Sequence, residues 1–182
     1  MKTVLLMRHA KSSWKDHKLK DIDRPLSKRG KKDVPYMGQL LVEKELVPQM
    51  ILCSTALRAR STAEILAEKC GYKGEITYIE SFYLAEPAAY ASALSSLPDE
   101  VERVLLIGHN PGMEGLVQML SGQVESLPTA AIAYLVLSIN NWREFEGATH
   151  ADICELWRPP EKKDRKKVSP NSKKDNASKS TK

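Results

Sequence analysis

Two short apolar runs, Val4-Leu5-Leu6-Met7 and Val104-Leu105-Leu106-Ile107, each lead within two residues to a histidine, His9 and His109. Runs this short and apolar throughout read as buried strands of an open α/β sheet. In an open sheet of that kind, ligands bind in the crevice beyond the carboxyl ends of the strands. Both histidines therefore fall at that crevice. Arg8 precedes the first, and the second opens His109-Asn110-Pro111-Gly112, a turn able to start a helix with free N–H groups. Two imidazoles, an arginine and a helix start in one crevice point to chemistry on an anion, foremost a phosphoryl group.

The rest of the chain alternates strand and helix patterns, which predicts an α/β fold. Strands are expected at residues 3–7, 50–53, 75–79 and 103–107. A further strand is expected at 130–139, and an edge strand at 152–157. Residues 30–46 carry a helical pattern that Pro35 interrupts, so an irregular first turn or a start near Lys32 is expected. Ser54 or Thr55 is expected to cap a helix that runs through Glu68 and ends at Cys70-Gly71. Helices are also expected at 87–97 and 113–120, and residues 16–25 read as a polar connection.

Charge divides the chain at Pro159-Pro160. The last 22 residues hold nine basic and three acidic side chains, a net of +6, with one Val and no aromatic residue. The expected organisation is thus a catalytic domain at 1–160 and a basic, disordered tail at 161–182. Without the tail the net charge is −1, so the formal +5 of the whole chain says little about the folded part. The three cysteines, Cys53, Cys70 and Cys154, lack CxxC spacing, which fits buried thiols in a reducing cytoplasm and neither a disulfide framework nor a zinc site. No apolar run approaches the roughly 20 residues that span a bilayer, so neither a membrane nor a signal peptide is expected. Trp14, Trp142 and Trp157 read as core or rim packing. They do not interleave with a basic patch, which argues against a nucleic-acid platform. His17 and His150 read as solvated. Nothing in the sequence specifies an oligomeric state.

A second anion ligand is expected from Ser54-Thr55-Ala56-Leu57-Arg58-Ala59-Arg60-Ser61-Thr62-Ala63, which also begins at a strand's carboxyl end. Ser54, Arg58 and Thr62 recur every fourth residue and so share one helical face, whereas Arg60 points elsewhere. A third candidate is Arg24 in Asp23-Arg24-Pro25-Leu26-Ser27. Taken singly, each of these residues also reads as an ordinary solvated side chain, and an Arg-His pair alone is weak evidence.

Together, Arg8-His9-Ala10, residues 54–63 and Gly108-His109-Asn110, in this order, resemble the histidine phosphatase (phosphoglycerate mutase-like) superfamily. Ala10, the stretch Asp23-Arg24-Pro25-Leu26-Ser27-Lys28-Arg29-Gly30 and the compact length are similar to the SixA-type phosphohistidine phosphatases. The resemblance covers residues 1–158 and implies a three-layer α/β/α sandwich around a mostly parallel sheet. It implies that His9 is phosphorylated during turnover and that Arg8, Arg58 and His109 form the phosphate pocket. Arg24 matches the additional arginine of the SixA branch, and Ser54 and Asn110 are further candidate substrate ligands. No metal or other cofactor is implied.

One segment departs from the larger members, which supply a glutamate as general acid after the third strand. Here it reads Glu80-Ser81-Phe82-Tyr83-Leu84-Ala85-Glu86, whose Glu86 and Glu80 are the candidate general acids, with water the alternative, although neither sits in a clear acid motif. Glu86 also reads as the residue that opens the following helix. A missing acid suits a leaving group such as imidazole, with a conjugate-acid pKa of about 6.5; an alkoxide resembles hydroxide, whose conjugate acid lies near 16. The activity that the resemblance implies, and with which a missing acid is consistent, is phosphatase action on phosphohistidine or another small phosphorylated group through a phosphorylated histidine. The alternative within enzymes is a phosphomonoesterase acting on a small metabolite or phosphopeptide. A non-catalytic protein binding anions or nucleic acid through its tail is the alternative of another class, but a pure binder has no use for a nucleophilic imidazole.

Overall fold

The computed structural model describes residues 1–146 and 149–161. The expected tail therefore lies, but for Glu161, outside the described residues. A six-stranded sheet forms the middle layer, in the order β3-β2-β4-β1-β5-β6. Its strands are β1 (Lys2–Arg8), β2 (Met50–Ser54), β3 (Ile76–Ile79), β4 (Arg103–Gly108), β5 (Ile132–Leu137) and β6 (Ala151–Trp157). The first four run parallel, and β5 and β6 are antiparallel additions on one side, with β6 at the edge.

Side chains alternate across a strand, and the apolar runs supply both faces of the sheet. Val4, Leu6, Val104 and Leu106 pack on one side with Tyr90 and Leu94 of α3 (Pro87–Ser95) and Met113, Leu116 and Leu120 of α4 (Gly112–Ser121). Leu5, Met7, Leu105 and Ile107 pack on the other with Val34, Met37 and Leu41 of α1 (Lys28–Glu43) and Ala59, Ala63 and Leu66 of α2 (Leu57–Cys70). Three layers result because neither face of the central strands carries a polar side chain toward water.

Three of the differences from the expected element boundaries have a local reason. Helix α1 begins at Lys28 and runs on through Pro35, because Ser27 Oγ accepts the Gly30 N–H at 3.1 Å and caps it earlier. Helix α2 has Ala56 at its cap position with no side-chain cap bond. Ser54 is instead the last residue of β2, and its hydroxyl accepts the Ala56 N–H at 3.3 Å, ahead of the helix, and faces His109. Strand β5 is shorter than 130–139, since Ala130 lies at φ 64° in a turn whose N–H bonds to the carbonyls of Arg8 and His9.

The chain between β1 and α1 shapes the crevice. It makes a loop pinched at its neck by the Ser12–Leu26 bridge and by the Ser13 N–H to Pro25 carbonyl bond of 2.8 Å. Gly30 lets this neck approach the start of α1, since a Cβ there would collide with the Lys11 carbonyl oxygen. The same neck is tied by the Ser27 N–H to Lys11 carbonyl bond of 2.8 Å. Loop and helix are thus positioned as one piece.

Candidate active site

Strand order brings the two histidines together. β4 lies between β1 and β2, with Arg8 in register with Gly108 and Cys53 with Ile107. The carboxyl ends of β1, β4 and β2 are therefore adjacent, and they deliver His9, His109 and Ser54 to one place. The His9 N–H is fixed by the Gly108 carbonyl at 3.0 Å. The His109 N–H donates to Tyr90 Oη at 3.2 Å. This close approach of Tyr90 needs Gly108, where a Cβ would strike the Tyr90 hydroxyl. The His9 and His109 rings lie 5.0 Å apart, centroid to centroid.

Hydrogen-bond partners assign both tautomers. Nδ1 of His9 lies 2.8 Å from the Ala10 carbonyl, which can only accept, so Nδ1 carries the proton. Nε2 then presents a lone pair, and Arg58 Nε donates to it at 3.3 Å. For His109, Nδ1 faces Arg58 Nη2 at 3.4 Å and so acts as acceptor, while Nε2 donates to Ser54 Oγ at 2.7 Å. Burial, reinforced by nearby arginines, pushes the His9 pKa down to about 4. Burial, then the neighbouring His9 and Arg58, pushes that of His109 down to about 3. Both rings are neutral near pH 7.

Arg58, on the first turn of α2, is buried, as is Thr62 one turn on. Thr62 Oγ1 donates to the Arg58 carbonyl at 2.7 Å and accepts the Ala10 N–H at 3.0 Å, which locks the helix to the chain just after His9. Arg60 is exposed, with its guanidinium 4.9 Å from the Tyr78 ring centroid. Helical phase alone separates the two arginines, as expected. Arg8 Nη1 and Asn110 Nδ2 both donate to the Leu127 carbonyl, at 3.1 and 3.0 Å, while the Leu127 N–H bonds to Glu114 Oε1 at 2.7 Å. Among the described residues, Arg8 Nε and Asn110 Oδ1 are buried without a partner. Arg24 is reached through the pinched loop. It donates to the Ser13 carbonyl at 3.2 Å and to Ser12 Oγ, and stacks 3.2 Å over the Trp14 ring.

These groups line a cavity of about 260 Å³ that includes Arg8, His9, Arg24, Arg58, His109 and Asn110. Ser54 stands behind His109 and outside that lining. Glu80, at the start of a 3-10 turn, and Glu86, at the cap position of α3 without a cap bond, are both exposed and outside it as well. The segment after β3 instead sends Tyr83 inward, its ring 5.7 Å from that of His109.

Asp21 was not singled out by the sequence, yet it stands at the centre of the cation cluster. Its Oδ2 accepts from Arg58 Nη2 at 3.0 Å and from the Tyr83 hydroxyl at 2.7 Å, and its Oδ1 accepts from Arg24 Nη1 at 2.8 Å. The Tyr83 hydroxyl bond, with those of Arg24 and Arg58, holds the Asp21 carboxyl well below the usual carboxylate range. An aspartate one 3-10 turn before Arg24 was the available signal, but Asp23 competes with Asp21 in sequence and only the loop's path separates them. His17 and His150 are exposed, as expected, and Trp142 is core. No three His, Cys, Asp or Glu side chains among the described residues are grouped to hold a metal. Among those residues, too, no helix is long and apolar enough to cross a membrane.

A sequence model of the histidine phosphatase superfamily (branch 1) matches residues 4–83. A chloroplastic protein of Arabidopsis thaliana is 37% identical over 151 residues, 78% of this chain and 69% of that protein. A solved structure from Agrobacterium tumefaciens, described as a candidate phosphohistidine phosphatase SixA, superposes with a TM-score of 0.75 at 27% identity, over 87% of this chain and 98% of that one. A protein histidine phosphatase SixA complexed with tungstate shares the fold, with a TM-score of 0.74 at 23% identity, over 85% of this chain and 95% of that one. The chain belongs to the histidine phosphatase superfamily, in its SixA-type branch. It is a phosphatase that works through histidine.

Proposed function

We propose that the substrate is phosphohistidine and that its phosphoryl group passes to Nε2 of His9. The catalytic unit in this reading is residues 1–160. Nε2 attacks phosphorus, the bond from phosphorus to the leaving nitrogen breaks, and water then hydrolyses the phosphorylated His9 to release inorganic phosphate. Arg8, Arg24 and Arg58 balance the charge of the equatorial oxygens in each transition state, with Asn110 and His109 at the flanks. Ser54 orients the His109 ring. The neutrality of His9 near pH 7 supports its role, since only the unprotonated nitrogen is a nucleophile.

The observation that carries the substrate assignment is the lack, among the described residues, of a protonated carboxyl at the cavity. Glu80 and Glu86 are outside the lining, and Asp21 is held ionised by its hydrogen-bond partners. A leaving alkoxide would depart without an acid to protonate it, whereas imidazole needs far less help. The test is a substrate series assayed with a chelator present. Phosphohistidine peptide and nitrophenyl phosphate are expected to turn over undiminished by chelator. Alkyl phosphates are expected to be slower by about 10² to 10⁴, the usual contribution of a general acid. Comparable rates on alkyl phosphates, with a hundredfold loss there on Glu80→Gln or Glu86→Gln, would make the protein a phosphomonoesterase.

The same assignment predicts the pH profile. kcat/KM for a substrate that does not itself titrate in the range should fall on the acid side near pH 4, where free His9 protonates. An ordinary histidine would fall near 6.5. Stability follows with the same sign. In the unfolded chain both histidines bind protons below about pH 6.5, whereas the folded rings stay neutral to about 4 and 3. The folded state therefore loses stability as pH drops through that window. An acid limb of kcat/KM at 6.5 would contradict the burial argument for His9.

A further inference from the structure

A carboxylate in a phosphate pocket needs a reason. Asp21 spends a negative charge beside the position of an incoming phosphoryl group and opposes its binding. It is one guanidinium from the nucleophile, because Arg58 donates from Nη2 to Asp21 and from Nε to His9 Nε2. Anchoring of Arg24 and Arg58 alone would be served by a carboxylate sealed behind them. The Asp21 side chain is instead 41% exposed and forms part of the cavity lining. It has acceptor capacity left beyond the three bonds it makes, since a carboxylate offers about four lone-pair sites. Leu84, exposed at the same mouth, offers an apolar contact for a ring.

We propose that Asp21 determines leaving-group specificity by accepting a hydrogen bond from the ring N–H of the phosphorylated imidazole. This rests on the phosphohistidine reading above. In the ring-protonated substrate, one nitrogen is bonded to phosphorus and the other carries hydrogen. As His9 Nε2 forms its bond to phosphorus, the substrate's nitrogen–phosphorus bond breaks and its electron pair stays on that nitrogen. The ring leaves as neutral imidazole and keeps its remote proton, so the enzyme supplies none. Without that proton the ring would have to leave as imidazolate, a far poorer leaving group. A nearby carboxylate favours the cationic, ring-protonated form. The charge opposed to a phosphate ester thus becomes an attraction for the cationic ring of a phosphoramidate. Asp21 acts here as an ionised acceptor, in keeping with the guanidinium bonds that hold it.

The test compares Asp21→Asn with the unaltered protein on a phosphohistidine peptide and on nitrophenyl phosphate, whose leaving group has no N–H. The ratio of the two kcat/KM values is expected to fall by about ten- to a hundredfold in the variant, the usual scale for a hydrogen bond to a charged group. An equal fall on both substrates would reduce Asp21 to a support for the arginines. An equal gain on both would make it an internal anion that competes with phosphate. Either result overturns the proposal. A second comparison needs no variant: the unaltered protein should prefer 1-phosphoimidazole, protonated at the remote nitrogen, to 1-phospho-3-methylimidazolium by at least tenfold. Both carry the same cationic ring, but only the first has the N–H, so equal rates overturn the proposal even if Asp21→Asn does not fold. Failure of the unaltered protein to hydrolyse any phosphoramidate, with alkyl phosphates turned over, would instead overturn the substrate reading on which the proposal stands.

Discussion

His9→Ala is expected to lower turnover by roughly 10⁴- to 10⁶-fold, the scale on which covalent hydrolases lose rate when the nucleophile is removed. The fold should survive. The His9 backbone is held independently of its ring, through the Gly108 carbonyl and the Ala130 N–H. The ring bonds only the Ala10 carbonyl and Arg58. Rapid quench with labelled substrate should trap an acid-labile, base-stable phosphoenzyme in the unaltered protein and none in the variant. Near-normal activity in His9→Ala, or a label on another residue, would remove His9 from the role of nucleophile. His109, whose ring is about as deeply buried and 5.0 Å away, is the control for label position. In the reading above His109 flanks the phosphoryl group without bonding to it, and its Nε2 is turned to Ser54 behind the cavity lining, so no label is expected there.

Arg58→Ala is expected to cost at least 10²- to 10³-fold in kcat, the loss seen when one preorganised donor to a transition-state anion is removed. Arg58→Lys should recover little of it. The planar fork of Arg58 meets His9 Nε2, the Asp21 carbonyl at 2.6 Å and the Asp21 carboxylate at once, and an ammonium on a flexible stem cannot. The loss should extend to nitrophenyl phosphate, because the charge on the transferring phosphoryl group does not depend on the leaving group. Arg60→Ala provides the contrast. It removes the same charge two residues away on the exposed face of α2 and should leave kcat within about twofold, as surface changes usually do little. Similar losses at both positions would mean that the arginines act through net charge and not through placement.

The two experiments also separate kinds of information. Arg58 and Arg60 differ in sequence only by helical phase, and phase was enough to tell them apart because α2 buries one face against the sheet. His9 and His109 were legible for a comparable reason. Each follows an apolar strand at a fixed offset, and a parallel sheet presents the ends of its strands on one side. Patterns of period 2 and 3.6 are local, so a sequence displays them without knowledge of what packs where. The α/β alternation, the paired histidines and the choice of Arg58 all rest on such patterns.

Other features depended on contacts between distant residues. Tyr83 and Asp21 are 62 positions apart in the chain, Ser54 and His109 are 55 apart, and no local periodicity connects either pair. Ser54 was expected as a helix cap because its neighbours are helical, but the adjacency of β2 and β4 gave its hydroxyl a histidine to accept from. Glu80 and Glu86 had the right chemistry for an acid, yet the turn after β3 sets Tyr83 against His109 and Asp21 and leaves both carboxylates in solvent. Asp21 looked like one acid among several in a polar connection. Its role follows from a loop path set by the Ser12–Leu26 bridge and by the approach of Lys11 to Gly30. From sequence alone came the α/β alternation, the strand ends and the choice of Arg58 over Arg60, because these follow from burial along single elements. The carboxylate among the site's cations was decided by tertiary structure, because a loop's course depends on what it packs against.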